Sequence, residues 1–290
     1  MMTDWYQKAI DALQLNGLGE RTQEASVRAV RLLCQFYDKT PDQISEFELQ
    51  PYFLHRKNRD GGSPNTMRIG YGGIRFFFVH VVQRNWHTLE LIRAQSEHRL
   101  PVVLSREEVR RLLGCVRTPH NRVFLSTVYA GGLRLQEAQC LEVAAIDSQR
   151  MMSHGHRGQG AKDRYVPLPQ ATLARLRAHG KTHRHRRWLF PALGRSGQGA
   201  RTASTPMAKA SVQGALRQAR VEAGIHKRHV SVHTLRHCYA THLLEAGVNR
   251  RVIQPYLGPA QLETTMVYLH LTQKGQEDAY QRINGLMEGL

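Results

Sequence analysis

Between Arg21 and Phe36 the apolar side chains fall on one stripe. Ala25, Val27, Val30, Leu33, Cys34 and Phe36 recur at roughly helical spacing, and Lys39-Thr40-Pro41 closes the run. This face is predicted to be core. A second helical stretch covers about Asp42 to Asn58 and stops at the turn signal Asp60-Gly61-Gly62-Ser63-Pro64. A third runs from about Asn65 through Ile74-Arg75-Phe76-Phe77-Phe78-Val79, whose phenylalanines read as core packing rather than base stacking. After the polar stretch Glu97-His98-Arg99-Leu100-Pro101, Ser105 and Glu108 form a capping-box pattern that starts a new helix. The pattern divides the chain into a helical domain over 1–98 and a second domain over 99–290.

The second domain is mixed. Phe124 to Ala130 is apolar and helical in tendency, and Gly131-Gly132-Leu133-Arg134 ends it before another helix carrying Glu137. A β-hairpin is predicted next, with arms at about Met151 to Arg157 and Arg164 to Leu168. They are joined by Gly158-Gln159-Gly160-Ala161-Lys162-Asp163, whose glycines suit a tight connection. Leu173 to Ala178 starts a helix leading into the basic run Lys181 to Arg187, Gly194 to Ala203 is loop, and helices resume at Ser211 and stop at Gly224. The expected fold is mainly α with a small β-hairpin or sheet. Within the basic run, Thr182 to Arg187 reads first as a solvated loop. Phosphate contact by Arg184, Arg186 and Arg187 is the functional alternative, and His183 with His185 lacks the further ligands a zinc site needs.

Charge sharpens the picture. The 290 residues carry 41 Lys and Arg against 23 Asp and Glu, a formal net charge of +18, so a polyanion is the expected partner and nucleic acid the leading one. A hydrophobic fraction of 41% is enough to build a core in each of two domains. No secretory signal and no apolar run of membrane-spanning length is apparent. Cys34, Cys115, Cys140 and Cys238 are far apart without CxxC pairing, which suits a reducing cytoplasm.

The sharpest chemical signal is Val232 to Gly247, VHTLRHCYATHLLEAG, where His233 and Arg236 stand three apart on one helical face. Upstream lies YAGGLR, ending at Arg134, and downstream TTMVYLH, carrying Tyr268. With these three motifs in this order, the chain resembles the tyrosine recombinases over essentially its whole length: the phage integrases, Xer-type recombinases and transposon- or integron-borne integrases. The resemblance implies a helical, SAM-like core-binding domain and a mixed catalytic domain that together clamp a DNA duplex. It implies that Arg134 and Arg236 grip the scissile phosphate, His233 is the general acid/base, Tyr268 the nucleophile and Glu137 an orienting acid. It further implies a homotetramer on two DNA sites, held by a C-terminal tail from about Lys274, and no metal or other cofactor.

The chemistry agrees with those roles. Breaking a phosphodiester without a metal needs a nucleophile, cations on the oxygens where charge develops, and an acid for the leaving oxygen. Arginine's planar fork suits the clamp.

Two positions depart from the family pattern. The hairpin usually reads GKGxKDRxVPLP, its first lysine protonating the leaving oxygen. Here it reads GQGAKDRYVPLP, so Gln159 stands in that place, and Lys162, an accessory lysine in the family pattern, is a candidate to substitute. The family's LGH is LGP here, and Pro259 offers neither a side-chain donor nor a backbone N–H, although it suits a helix start. Pro255 also falls inside a helix predicted from an Asn249 cap through Tyr256.

The expected function is site-specific DNA recombination through a 3′-phosphotyrosyl intermediate, integrating or excising a mobile element, with the protein on the nucleoid or a plasmid in a bacterial cytoplasm. Two alternatives stand beside it: a cleavage-weakened relative that binds recombination sites and regulates them, and a basic helical DNA-binding protein such as a replication initiator.

Overall fold

The computed structural model describes residues 3–91, 102–155, 164–194 and 198–257. The chain divides into two compact units, Met1–Arg99 and Leu100–Leu290. Both are built mainly from helices, and a three-stranded antiparallel sheet belongs to the second.

The first unit contains α1 (Thr3–Leu15), α2 (Glu20–Tyr37), α3 (Glu46–Asn58), α4 (Pro64–Phe76) and the short α5 (Thr88–Leu91). Val27, Val30 and Leu33 face inward from α2 as the stripe predicts, but Phe36 is 42% exposed. It sits at the edge of the stripe, edge-on to Tyr37 and Tyr52 in an aromatic cluster rather than in the core. α2 and α4 pack so closely that a Cβ on Gly73 would lie 2.6 Å from the Cα of Ser26. The predicted second helix is two pieces, a 3₁₀ turn at Pro41–Gln43 and α3, each opened by its own capping box, at Thr40 with Gln43 and at Ser45 with Glu48. Phe77 and Phe78 are buried in a π-turn that continues α4, which confirms them as core.

The second unit contains α6 (Arg106–Gly114), α7 (Pro119–Gly131), α8 (Leu135–Gln139), β1 (Ile146–Asp147), β2 (Met152–Gly155), β3 (Arg164–Pro167), α9 (Gln170–His183), α10 (Lys209–Glu222), α11 (Val232–Glu245) and α12 (Arg250–Leu257). The box at Ser105 and Glu108 is formed in both directions. The hairpin is present, and β1 adds a strand that the sequence did not announce. Its two residues are too few for alternation to register. The antiparallel register pairs Met152 with Pro167 and Gly155 with Arg164.

α7 and α11 cross in the middle of this unit around Phe124, Leu125, Val128, Leu235 and Cys238. His242 pins the crossing: its Nε2 donates to the Leu104 carbonyl (2.9 Å), which leaves Nδ1 to accept from the Tyr129 hydroxyl (2.8 Å). Pro255 does lie inside α12, so that helix lacks one internal hydrogen bond, while Asn249 Oδ1 accepts from the Arg251 N–H at its start.

Candidate active site

The sequence YAGGLRLQEA builds the site by ending one helix and starting another within four residues. α7 stops at Gly132, whose φ of +54° is the left-handed conformation that lets the chain turn back. A Cβ there would strike the ring of Tyr239, so the turn needs glycine on two counts. Arg134 is the N-cap of α8, and Glu137, three residues into that helix, reaches back to accept the Arg134 backbone N–H at 2.8 Å. The same carboxylate takes Arg134 Nη1 on its other oxygen at 2.6 Å. The residue that caps the helix therefore also aims the arginine.

α11 delivers the second arginine from the opposite side. Arg236 is 1% exposed and donates from Nη1 to the carbonyl of Gly132 and from Nη2 to the carbonyl of Leu257. Burial, followed by the charges of Arg164 and Arg134 and offset by Glu137, pushes its pKa down to about 9. It stays charged at neutral pH. Arg134 and Arg236 are thus brought together around Gly132 and Glu137.

His233 lies one turn before Arg236 on α11, edge-on to His237 at 4.8 Å between ring centres. Its pKa is lowered by desolvation, then by Arg236 and Arg134, against the pull of Glu137. A neutral imidazole beside two guanidiniums can accept a proton, the first requirement of a general base. Glu137 stays ionised although it is buried, because Arg164, the Arg134 amide and the Arg134 side chain hold its pKa below the usual carboxylate value.

Sequence reasoning passed over Arg164, and it belongs to this cluster. At the start of β3 its Nη2 lies 2.5 Å from Glu137 Oε2 and 3.4 Å from the Gly132 carbonyl. The signal was present in the hairpin pattern, where an arginine precedes VPLP, but a charge next to Lys162 and Asp163 in a turn looks solvated.

Residues 102–274 match the Phage integrase family, and residues 5–88 match the phage integrase N-terminal SAM-like domain. An integrase/recombinase of Sinorhizobium fredii is 35% identical over 272 residues, spanning 93% of this chain and 85% of that protein. The chain belongs to the phage integrase family, the tyrosine-type site-specific recombinases. A tyrosine recombinase XerD from Caulobacter vibrioides is 32% identical over 243 residues, 77% of this recombinase and 76% of its own length. The fold is that of XerH bound to a palindromic difH substrate, at 19% identity and a TM-score of 0.67 over 88% of this chain and 78% of that one. It is likewise that of the Tn1549 transposon integrase in complex with transposon right end DNA, at 17% identity and a TM-score of 0.67 over 97% and 99%. Family membership sets aside the reading of a replication initiator.

The remaining site residues of this recombinase divide in two. Gln159, Lys162, Pro259 and Tyr268 lie outside the described residues, as does the tail from Lys274. Arg184, Arg186 and Arg187 sit on the far side of α9 in sequence, and the segment around them is not the plain solvated loop that its charge suggests. His183 is 8% exposed, and His185 Nδ1 accepts from the backbone of Arg187 and Trp188 while its Nε2 lies 3.0 Å from the Ala203 carbonyl. Arg184 caps α9 in a left-handed conformation, and Arg187 pairs with Glu142 and lies 4.3 Å over the Trp188 ring. Among the described residues no group of three or more His, Cys, Asp or Glu could hold a metal, and no helix is long and apolar enough to cross a membrane.

Proposed function

We propose that this recombinase cuts and rejoins double-stranded DNA through a 3′-phosphotyrosyl intermediate, integrating or excising a mobile element. The observation that supports it most is the convergence of Arg134 and Arg236 on the Gly132–Glu137 turn, two guanidiniums held by protein acceptors. In this reading both arginines bond the non-bridging oxygens of the scissile phosphate. His233 takes the proton of the Tyr268 hydroxyl, whose oxygen attacks phosphorus, and the bond to the 5′ oxygen breaks as that oxygen takes a proton from Lys162, the candidate acid in place of Gln159. The freed 5′-hydroxyl then attacks the phosphotyrosine of the partner duplex and releases Tyr268. The bond energy is kept in the ester, so no ATP is needed. Arg184, Arg186 and Arg187 contact DNA phosphates, residues 1–98 form the core-binding domain, and residues 99–290 form the catalytic domain. The working assembly is a tetramer on two sites, in the bacterial cytoplasm on the nucleoid or a plasmid.

Gln159 and Pro259 favour a second reading, a relative that binds recombination sites but cleaves them slowly. Loss of a general acid costs about 10²–10⁴-fold in rate, whereas phosphate contacts spread over both domains keep binding. The test is covalent trapping on nicked suicide duplexes, built on a site selected from random DNA by the full-length protein. Gln159→Lys is expected to raise the rate of covalent linkage at least tenfold, Pro259→His to add to it without multiplying, and Tyr268→Phe to abolish it in every background. A wild-type protein that already links to DNA at a rate Gln159→Lys does not improve makes Lys162 or another group the acid, and the site fully competent. Absence of linkage in every variant overturns the proposed chemistry.

A further inference from the structure

The charges in the site do not balance. Among the described residues three guanidiniums, Arg134, Arg164 and Arg236, face one carboxylate, Glu137, an excess of two positive charges (3 − 1). The Arg164 side chain is 10% exposed and that of Glu137 3%. Within this cluster the Nε and Nη1 of Arg164 and the Nε of Arg134 are buried with no hydrogen-bond partner among the described residues.

A bridge made for stability alone would not look like this. One arginine already satisfies Glu137, and a second buried cation adds desolvation cost that an ion pair seldom recovers. Orphaned donors on a buried guanidinium are rare in folded proteins and call for an acceptor that arrives later. The bonding pattern also shows what Arg164 does to its neighbour. Glu137 Oε1 holds Arg134 Nη1, while Oε2 is shared between the Arg134 amide and Arg164 Nη2. With Arg164 removed, the carboxylate is held from the Arg134 side alone and can turn, and the guanidinium it aims turns with it.

We propose that Arg164 is a positioning residue of the phosphate clamp, fixing the Arg134 guanidinium through the shared Glu137 carboxylate and adding the charge that biases the pocket toward an oxyanion. This rests on the reading that the pocket takes a scissile phosphate. The hairpin has a second task in this scheme, because pairing of Gly155 with Arg164 is what brings the guanidinium to Glu137.

The probe is orthovanadate, a phosphate analogue that adopts the five-coordinate geometry of phosphoryl transfer, titrated into the full-length chain. Arg164→Met is expected to weaken vanadate binding by about 10- to 100-fold, the cost of a misplaced group. In an Arg134→Ala background the same change should cost less than about threefold, because its effect travels through Arg134. Arg164→Lys, which keeps the charge but not the fork, should recover part of the loss. Melting curves of each variant separate folding from binding, and where Arg164→Met does not fold, Arg164→Lys is read in its place, with about tenfold weaker binding expected. Wild-type affinity in the folded Arg164 variant, an equal loss with and without Arg134, or no vanadate binding by the wild-type chain overturns the inference. Covalent trapping on nicked DNA keeps the two readings apart. A chain that binds vanadate in this manner yet never links to DNA overturns the cleavage chemistry and leaves Arg164 its role, whereas linkage at an unchanged rate in Arg164→Met does the reverse.

Discussion

A methyl group at Gly132 would meet the Tyr239 ring while forcing alanine into a left-handed backbone. Either effect alone costs about 1–3 kcal/mol. Gly132→Ala is therefore expected to destabilise the second unit by about 2–4 kcal/mol, read as a lowered melting temperature, and to impair the clamp with it, since the Gly132 carbonyl accepts from Arg236. An unchanged melting temperature would mean that the turn relaxes freely. At this scale Arg134, Glu137, His233 and Arg236 were legible because motif order singles them out, whatever their surroundings. Arg164 was not, because its place in the hairpin pattern reads as a solvated turn charge, and its partner is a carboxylate 27 residues away.

Helix α9 and the start of α7 share a feature that titrates. His120 Nδ1 and His179 Nε2 are 3.0 Å apart, His179 lies over Phe190, and His183 is edge-on to His179. Burial, then the neighbouring histidine charges, pushes His120 and His179 down to about 4 and lowers His183 as well. Their folded pKa values lie below the unfolded value of 6.5, so unfolding takes up protons between those limits. Stability is fully present above about pH 6.5 and is lost as pH falls toward 4, by up to about 1.4 kcal/mol per pH unit for each histidine that charges on unfolding. Calorimetry from pH 7 to 4 should show this fall, and His179→Gln should make it shallower; a flat profile would refute the assignment. Among elements, a long amphipathic helix and a capped start were read well, as at α2 and α6, whereas the break before α3 was not. In the basic run the arginines are exposed as their charge suggests, but His183 is buried edge-on to His179, which a polar residue in a basic stretch does not announce.

For the whole molecule, a charge of +18, of which +16 (28 − 12) belongs to Leu100–Leu290 and only +2 (13 − 11) to Met1–Arg99, makes affinity for duplex DNA a matter of counterion release. Neutralising about six phosphates would lower the affinity by about 10³-fold between 50 and 200 mM salt. A plot of log K against log salt that stays flat would remove DNA as the partner. The two compact units meet at Arg99 and Leu100, inside the polar, proline-ended stretch of the sequence, whereas internal packing such as the close approach of Gly73 to Ser26 depends on a contact no local pattern encodes. Glu137 links the scales, since one carboxylate both caps α8 and holds two arginines. A lineage that stopped cutting DNA could not discard that carboxylate without fraying a helix, nor its arginines without leaving it buried and alone. Decay in such a lineage would be written first at positions with no structural duty, and the clamp would outlive the activity like a foundation after its building is gone.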